Sequence, residues 1–387
     1  MSLLLSQCPL DSSLLKKRIT FNLSKVSLQL DLSESLFSSF DVDVGTKVLL
    51  NSLRKNSAIN YSKILDLGCG YGPIGLFLKA QDPSRDVHMV DRDALAVTFA
   101  SYNAKLNDLR VTVYPSLDYE QVKDTFSLIV TNFPAKIATK GLQAFVYGAS
   151  AHLTSDGVLA LVVVQELTRE LELILDNREI ITLYKDYKKD YSVFHVAFTA
   201  QIHQPEHKYE RKDMTLSFSR KYQVKTAYGL PEFDSLNFGT RALYSLLRDV
   251  KDSVFNSVLV LEPGQGHGAI AVMDSLKCMN MVLCSRDLLS LTFAARNVRN
   301  NFAFEPRTTL APYLCEVPKE DLIVWSAQRK NDVALDAYNL KALSKAAGQL
   351  IVYGRTSLLR SMLRRENFTV TRHSLYKGYC AQLLRPI

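Results

Sequence analysis

Two stretches of this 387-residue chain set chemically useful residues at telling intervals. In Asp66-Leu67-Gly68-Cys69-Gly70-Tyr71-Gly72 an acid precedes glycines at alternate positions. Glycine lets the backbone turn tightly and approach a ligand closely, and a helix opening at Pro73 would present unpaired N–H groups there. Gly70-x-Gly72-x-x-Gly75 also fits the dinucleotide spacing G-x-G-x-x-G, a weak signal on its own. An acid at Asp66 would repel a pyrophosphate but suits the cationic end of S-adenosylmethionine. Asp91, closing the next apolar run, can accept both hydroxyls of a ribose, as either cofactor requires.

Such residues need a sheet to carry them. Lys63–Leu67, Val87–Val90, Phe126–Thr131 and Val158–Val164 are strand-type apolar runs. Helical patterns separate them: one from Pro73, one reaching about Leu106 and one over Leu142–His152. Strands alternating with helices predict an α/β fold with a parallel, doubly wound sheet. Ile180–Tyr187 and Tyr191–Ala200 flank the turn Lys188-Lys189-Asp190 and predict an antiparallel hairpin closing that sheet.

The pattern occurs twice. Residues 64–75 are matched by 260–271 at an offset of 196, and 91–103 by 285–297 at an offset of 194. Phe40–Thr46 parallels Phe233–Thr240, and Leu128–Asn132 parallels Leu322–Ser326. The chain therefore reads as a tandem duplication: a first domain over 1–200, a polar linker over 201–213 and a second domain over 214–387. His203 and His207 stand four apart in the linker without a third ligand nearby, so no metal is expected.

Composition narrows the class. At 47% hydrophobic and 22% charged residues, wholesale disorder is excluded. Six cysteines (Cys8, Cys69, Cys278, Cys284, Cys315, Cys380) contain no C-x-x-C pair and are too sparse for a disulfide framework, which predicts reduced thiols and a cytoplasmic protein. No apolar run approaches the ~18 residues of a membrane span. Lys16, Lys17 and Arg18 follow the apolar start instead of preceding it, the wrong order for a secretory signal. The net charge is 47 − 39, or +8, and residues 355–387, with seven bases and one acid, carry +6 of it. A polyanionic partner fits that balance.

With Thr131-Asn132-Phe133-Pro134-Ala135-Lys136 at the end of the Phe126–Thr131 strand, the set resembles the class I S-adenosylmethionine-dependent methyltransferases. Phe37–Leu50, FSSFDVDVGTKVLL, is similar to a segment of their small-methyltransferase group. That group includes tandem-domain ribosomal RNA guanine-N2 methyltransferases with one degenerate copy. The resemblance implies two Rossmann-like domains, each ending in an antiparallel hairpin. It implies S-adenosylmethionine held by Asp66, Gly68, Gly70, Gly72, Asp91 and Asn132, with Asp118 near the adenine amine. It also implies a catalytic segment of Asn132, Phe133 and Pro134. In the family that segment reads Asn-Pro-Pro-aromatic. The Asn carbonyl oxygen and the next backbone carbonyl accept both N–H bonds of an exocyclic amine, whose lone pair is otherwise delocalised, and aim it at the methyl group. Here Phe133 replaces the first proline and Ala135 the aromatic, so Phe133 stands as either a stacking platform or a core residue. Lys136 would meet a phosphate.

Copy two keeps Gly264, Gly266 and Gly268 and sets Glu262 opposite Asp66, but has Ser285 for Asp91 and Ser326 for Asn132. It is expected to be catalytically silent, with Arg360, Arg364 and Arg365 gripping an RNA backbone. The implied substrate is an exocyclic base amine of structured RNA, guanine N2 of ribosomal RNA or the small ribosomal subunit. A monomer with no membrane partner is expected. Two alternatives stay open: methylation of a protein Gln side chain or a small metabolite, and a non-catalytic RNA-binding assembly factor with a vestigial pocket.

Overall fold

A computed structural model describes residues 4–5, 10–55, 61–134, 139–251, 253–314, 320–327, 333–346, 348–364 and 368–386. The chain forms two compact units, one over Leu15–Tyr209 and one joining the residues up to Leu14 to those from Glu210 onward. The chain opens on a two-residue strand, β1 (Leu4–Leu5), which pairs in parallel with Thr309 and Leu310 of the second unit.

The first unit begins with a hairpin of β2 (Lys17–Leu23) and β3 (Val26–Leu32), followed by α1 (Val44–Lys55). Then come β4 (Lys63–Leu67), α2 (Pro73–Gln81), β5 (Asp86–Asp91), α3 (Ala94–Leu106), β6 (Thr112–Pro115) and β7 (Phe126–Asn132). It ends with α4 (Thr139–Ala149), β8 (Leu153–Val164), α5 (Thr168–Leu175), β9 (Ile180–Tyr187) and β10 (Tyr191–Phe198). The sheet order is β6-β5-β4-β7-β8-β10-β9, parallel except that β10 runs antiparallel to both β8 and β9. Ile64, Leu65, Leu128, Ile129 and Val130 are wholly buried, as strands covered by helices on both faces must be. Strand order reverses at β4, with β5 on one side and β7 on the other, and a ligand crevice opens at such a switch point beyond the strand carboxyl ends.

The second unit repeats the plan. It contains β11 (Glu210–Ser217), β12 (Lys221–Ala227), α6 (Phe238–Asp249), β13 (Val254–Leu261), α7 (His267–Ser275), β14 (Lys277–Ser285) and α8 (Leu288–Phe302). These lead into β15 (Arg307–Leu310), β16 (Leu322–Ala327), α9 (Val333–Ala346), β17 (Gln349–Arg355), α10 (Thr356–Leu363), β18 (Phe368–Tyr376) and β19 (Tyr379–Pro386). Its order, β1-β15-β14-β13-β16-β17-β19-β18, differs only by the added β1. The two hairpins are even held by the same device. Asn103 and Asn107 accept the Asp31 and Gln29 N–H groups at 2.8 and 2.9 Å; Asn297 and Asn301 accept those of Lys225 and Gln223 at 2.9 and 3.1 Å.

One boundary differs from the sequence reading: residues up to Leu14 belong with the second unit, while the two units divide between Tyr209 and Glu210, inside the stretch expected as a linker. The Ile202 N–H donates to Ser150 Oγ at 2.8 Å, Lys208 and Tyr209 hold Asp118, and Glu210 opens β11. Residues 201–209 form no helix or strand, and residues 211–213 of β11 are all exposed. No helix among the described residues is long and apolar enough to cross a membrane.

Candidate active site

β4 delivers Asp66 to the crevice, wholly buried. Its Oδ2 accepts the Gly75 N–H at 2.8 Å, while Oδ1 is buried with no hydrogen-bond partner. Burial pushes this carboxyl up to about 7, with Asp91 adding to the effect and the Gly75 N–H opposing it. The chain then turns through left-handed backbone at Gly68 (φ 77°) and Gly70 (φ 55°), where a Cβ would meet nothing within 4 Å. Backbone conformation selects glycine at both positions, and the space above them is open. Gly75 is required for another reason, because a Cβ there would fall 2.5 Å from Met89 Sδ and 3.1 Å from Asp66 Oδ2. Asp91, at the end of β5, accepts the Gly70 N–H on Oδ2 (3.0 Å) and the Asp93 N–H on Oδ1 (2.9 Å). Burial, then the neighbouring Asp93, raises its carboxyl to about 6. Each carboxylate oxygen keeps a second lone pair for a ribose hydroxyl. An orphaned acid oxygen beside an open glycine cradle, with a second acid at the next strand end, fits the ammonium and ribose of S-adenosylmethionine.

Asn132, the last residue of β7, is the second half of the site. Its Nδ2 donates to Asp43 Oδ2 at 2.9 Å and to Thr46 Oγ1 at 3.2 Å, which uses both amide hydrogens. Asp43 Oδ2 also accepts the Gly45 N–H at 2.9 Å, and Oδ1 accepts the Tyr191 hydroxyl at 3.3 Å. One carboxylate thus caps the start of α1 and fixes the amide plane. Asn132 Oδ1 has no partner among the described residues and is left as the acceptor. Asp43, Thr46 and Tyr191 escaped the sequence reading, although Asp43-x-Gly45-Thr46 and its counterpart Asn237-x-Gly239-Thr240 lay in plain view.

The remaining residues fall differently. Phe133 is buried, with its ring edge-on to Phe145 at 4.9 Å, so it is a core residue and not a stacking platform. Pro134 is exposed. Asp118, in left-handed backbone (φ 49°), accepts the Tyr209 hydroxyl on Oδ2 and pairs with Lys208 at 3.3 Å. It anchors the end of the first unit, and this arrangement offers no support for an adenine contact. Burial raises its carboxyl although Lys208 and Tyr209 pull it down. Arg360 and Arg364 are exposed, on α10 and just after it. Lys136 and Arg365 lie outside the described residues.

The family model of the methyltransferase small domain matches residues 28–189, which takes in Asp43, Asp66, Asp91 and Asn132. Uncharacterized protein YbxB of Bacillus subtilis is 30% identical over 180 residues, 44% of this chain and 89% of that protein. The chain belongs to the methyltransferase small-domain family. It is a class I S-adenosylmethionine-dependent methyltransferase, and S-adenosylmethionine is its cofactor. Ribosomal RNA small subunit methyltransferase C of Hahella chejuensis is 34% identical over 140 residues, 35% of this chain and 40% of that protein. The enzyme of the same name from Photobacterium profundum is 30% identical over 150 residues, 38% of this chain and 43% of that protein. The chain thus spans less than half the length of these two relatives. In fold, the T. thermophilus 16S rRNA N2 G1207 methyltransferase (RsmC), solved with AdoMet and guanosine, matches with a TM-score of 0.68. That match covers 98% of this chain and 100% of that one at 15% identity.

The second unit repeats the scaffold with Ser285 and Ser326 at the places of Asp91 and Asn132. The sequence comparison set Glu262 opposite Asp66, and the structure moves that correspondence by two residues. The Glu262 N–H donates to the Cys284 carbonyl at 2.8 Å, as the Gly68 N–H does to that of Val90 at 2.9 Å. Gly264 and Gly266 (φ 57° and 90°) take the turns of Gly70 and Gly72 (φ 55° and 96°). Alternate glycines align equally well when slipped by two, but the helix starts, His267 and Pro73, admit only one register. Val260 therefore holds the place of Asp66, and Glu262, itself in left-handed backbone (φ 53°), the place of Gly68. The Glu262 carboxylate accepts the Ser285 hydroxyl at 3.0 Å and the Arg286 N–H at 3.3 Å, so it covers the strand end that Asp91 occupies in the first unit.

Proposed function

We propose that the first unit transfers the methyl group of S-adenosylmethionine to an exocyclic base amine of RNA, guanine N2 of ribosomal RNA, in the cytoplasm. The observation that carries this is the orientation of Asn132. Both amide hydrogens are spent on Asp43 and Thr46, so the group turned outward is a hydrogen-bond acceptor at the end of the strand beside the cofactor loop. An amine nucleophile needs that polarity, and the names of the small-subunit RNA methyltransferase relatives support the same substrate class.

The cofactor supplies an electrophilic sulfonium methyl. Asp66 would hold its ammonium and Asp91 its ribose hydroxyls. Asn132 Oδ1 and the backbone carbonyl of Phe133 accept the two amine N–H bonds, drawing the nitrogen lone pair out of ring conjugation. With the cofactor bound, accepting its methyl group would place positive charge on the nitrogen; Asn132 Oδ1 and the Phe133 carbonyl would then hold the amine more strongly, and one proton would leave to water. With Phe133 in the core, the stacking face falls to Phe37 and Phe40, 76% and 68% exposed on the segment leading into Asp43. Lys16 Nζ, paired with Glu34 at 3.4 Å, stands 3.5 Å from the Phe40 ring centroid.

The test is labelled methyl transfer to ribosomal subunits, total tRNA and protein extract, with nucleoside analysis of the product. N2-methylguanosine is expected. Label in protein alone, or none in RNA while the cofactor binds, refutes the reading.

A further inference from the structure

The second unit carries an aromatic and basic cluster at the corner that corresponds to Asp43 and Tyr191 of the first. Phe238, at the start of α6, lies 5.5 Å from Tyr376 and 5.9 Å from Tyr379 between ring centroids, at the tip of the β18–β19 hairpin. A cation stands on each ring: Lys377 5.2 Å from Phe238, Arg241 6.0 Å from Tyr376, and Arg355 5.8 Å from Tyr379. All three cations are exposed, and among the described residues none is ion-paired. Phe238 and Tyr376 remain 38% and 36% exposed.

The first unit provides the internal control. Tyr379 pairs with Arg355 at the end of β17 as Tyr191 pairs with Val164 at the end of β8, so the two hairpins correspond. Around Tyr191 the same corner is acidic and self-satisfied. The Tyr191 hydroxyl donates to Asp43, Lys188 pairs with Asp186 at 2.9 Å, and the Tyr187 hydroxyl donates to Glu172. In the second unit Asn237 stands for Asp43, and Ser374 takes the hairpin place of Asp186. Arg360, fifth residue of α10, takes the place of Glu172, fifth of α5. The duplicate has removed three acids and added a base at one corner, leaving its cations without partners.

Unpaired cations laid on three rings, two of them exposed, combine the two parts of a single-strand site: π faces for bases and charge for phosphates. We propose that Phe238, Tyr376, Tyr379, Arg241, Arg355 and Lys377 bind single-stranded RNA. The site goes beyond the methylation reading and rests on it only in taking the polyanion to be RNA. An acidic protein segment would also meet the three cations, but it would gain nothing specific from the rings.

The experiment is anisotropy of a labelled oligouridylate about ten nucleotides long, titrated with the full chain at several salt concentrations. Joint substitution Arg241→Gln, Arg355→Gln and Lys377→Gln is expected to flatten the slope of log K against log salt by about 2, at about 0.7 per phosphate contact. Tyr376→Leu with Phe238→Leu should raise Kd about tenfold with the slope kept, and Phe238→Trp should retain binding. Cofactor affinity, read by calorimetry, should stay at the wild-type value throughout. Unchanged Kd and slope in both sets, no binding by the wild type, or equal capture of labelled polyglutamate with no effect of the ring substitutions would overturn the site. Methyl transfer run in parallel separates the two ideas. RNA label with oligouridylate binding unaltered in the variants sinks this site alone. Ring- and salt-dependent binding without RNA label sinks only the methylation reading.

Discussion

Asp43→Asn isolates the orientation of Asn132 from the folding of the helix that carries Asp43. Asn keeps the size of the side chain and remains a good helix cap, so α1 should stand. What changes is the bond to Asn132, now 2.9 Å from a carboxylate oxygen. A hydrogen bond to a charged group contributes about 1.5–3 kcal/mol and a neutral one about 0.5–1.5, so the preference for the outward-facing acceptor drops by about 1–2 kcal/mol. At about 1.4 kcal/mol per tenfold, kcat should fall about 5- to 30-fold. Cofactor affinity should hold, because the Asp43 carboxylate bonds only Gly45, Asn132 and Tyr191 among the described residues. Asp43→Ala removes the cap as well, about 0.5–2 kcal/mol, and should lower Tm by a few degrees where Asp43→Asn does not. Initial rates of methyl transfer, cofactor calorimetry and melting curves on the three proteins decide it. Full kcat in Asp43→Asn, or a loss matched by an equal loss of cofactor affinity, would refute the orientation argument.

Three further outcomes follow from the same geometry. Asp66 and Asp91 carry carboxyls raised to about 7 and about 6, so in the free protein both are partly protonated at pH 6. A cationic ligand favours their ionised forms. Binding at pH 6 should therefore release protons, visible as a buffer-dependent calorimetric heat, and affinity should climb until about pH 8. Zero release in the wild type, or full release retained by Asp66→Asn, contradicts the assignment. For the unliganded unit the sign is reversed: an acid with a raised folded pKa ionises first in the unfolded chain, so this contribution to stability shrinks as pH rises from about 4 to about 7. Gly75→Ala should lower both Tm and cofactor affinity, since its Cβ would press on Met89 and Asp66; a silent substitution would mean that α2 yields freely. Phe133→Leu should depress Tm with kcat within about twofold, whereas Phe40→Leu should raise KM for RNA about tenfold with Tm unchanged. The opposite pattern would return the stacking role to Phe133.

The glycine turn and its two acids were legible in the sequence because their logic is local. Asp66, the alternate glycines and Asp91 lie at strand ends, and each residue type states a backbone or charge requirement by itself. The Asn132 half was legible only as a position. Which end of its amide faces outward depends on Asp43, 89 residues away and joined to it only by folding. Phe133 was ambiguous for the related reason that an aromatic after a strand is apolar in either role, and only burial against Phe145 separates them. The slip in aligning the two copies has the same root. Glycine pairs record that the chain turns, while the register of the turn is written in helix starts and strand partners.

That corrected register explains how the second copy could lose its chemistry and keep its fold. A wholly buried acid with one unpartnered oxygen is tolerable where a cationic ligand completes it. Without the ligand, burial holds the carboxyl up at about 7, so ionising it in the folded chain is costly. Val260 removes that cost at the equivalent place and packs there fully buried. Glu262 then fills the opened strand end with its own carboxylate, satisfied by Ser285 and the Arg286 N–H. The groups that hold the scaffold carry no such penalty: Asn297 and Asn301 still pin the hairpin, and Asp287 still caps α8 at 3.0 Å as Asp93 caps α3 at 2.9 Å. In a copy without the ligand, folding stability alone would favour stripping the buried acid while preserving the asparagine clamps, and that is the division of residues between the two units.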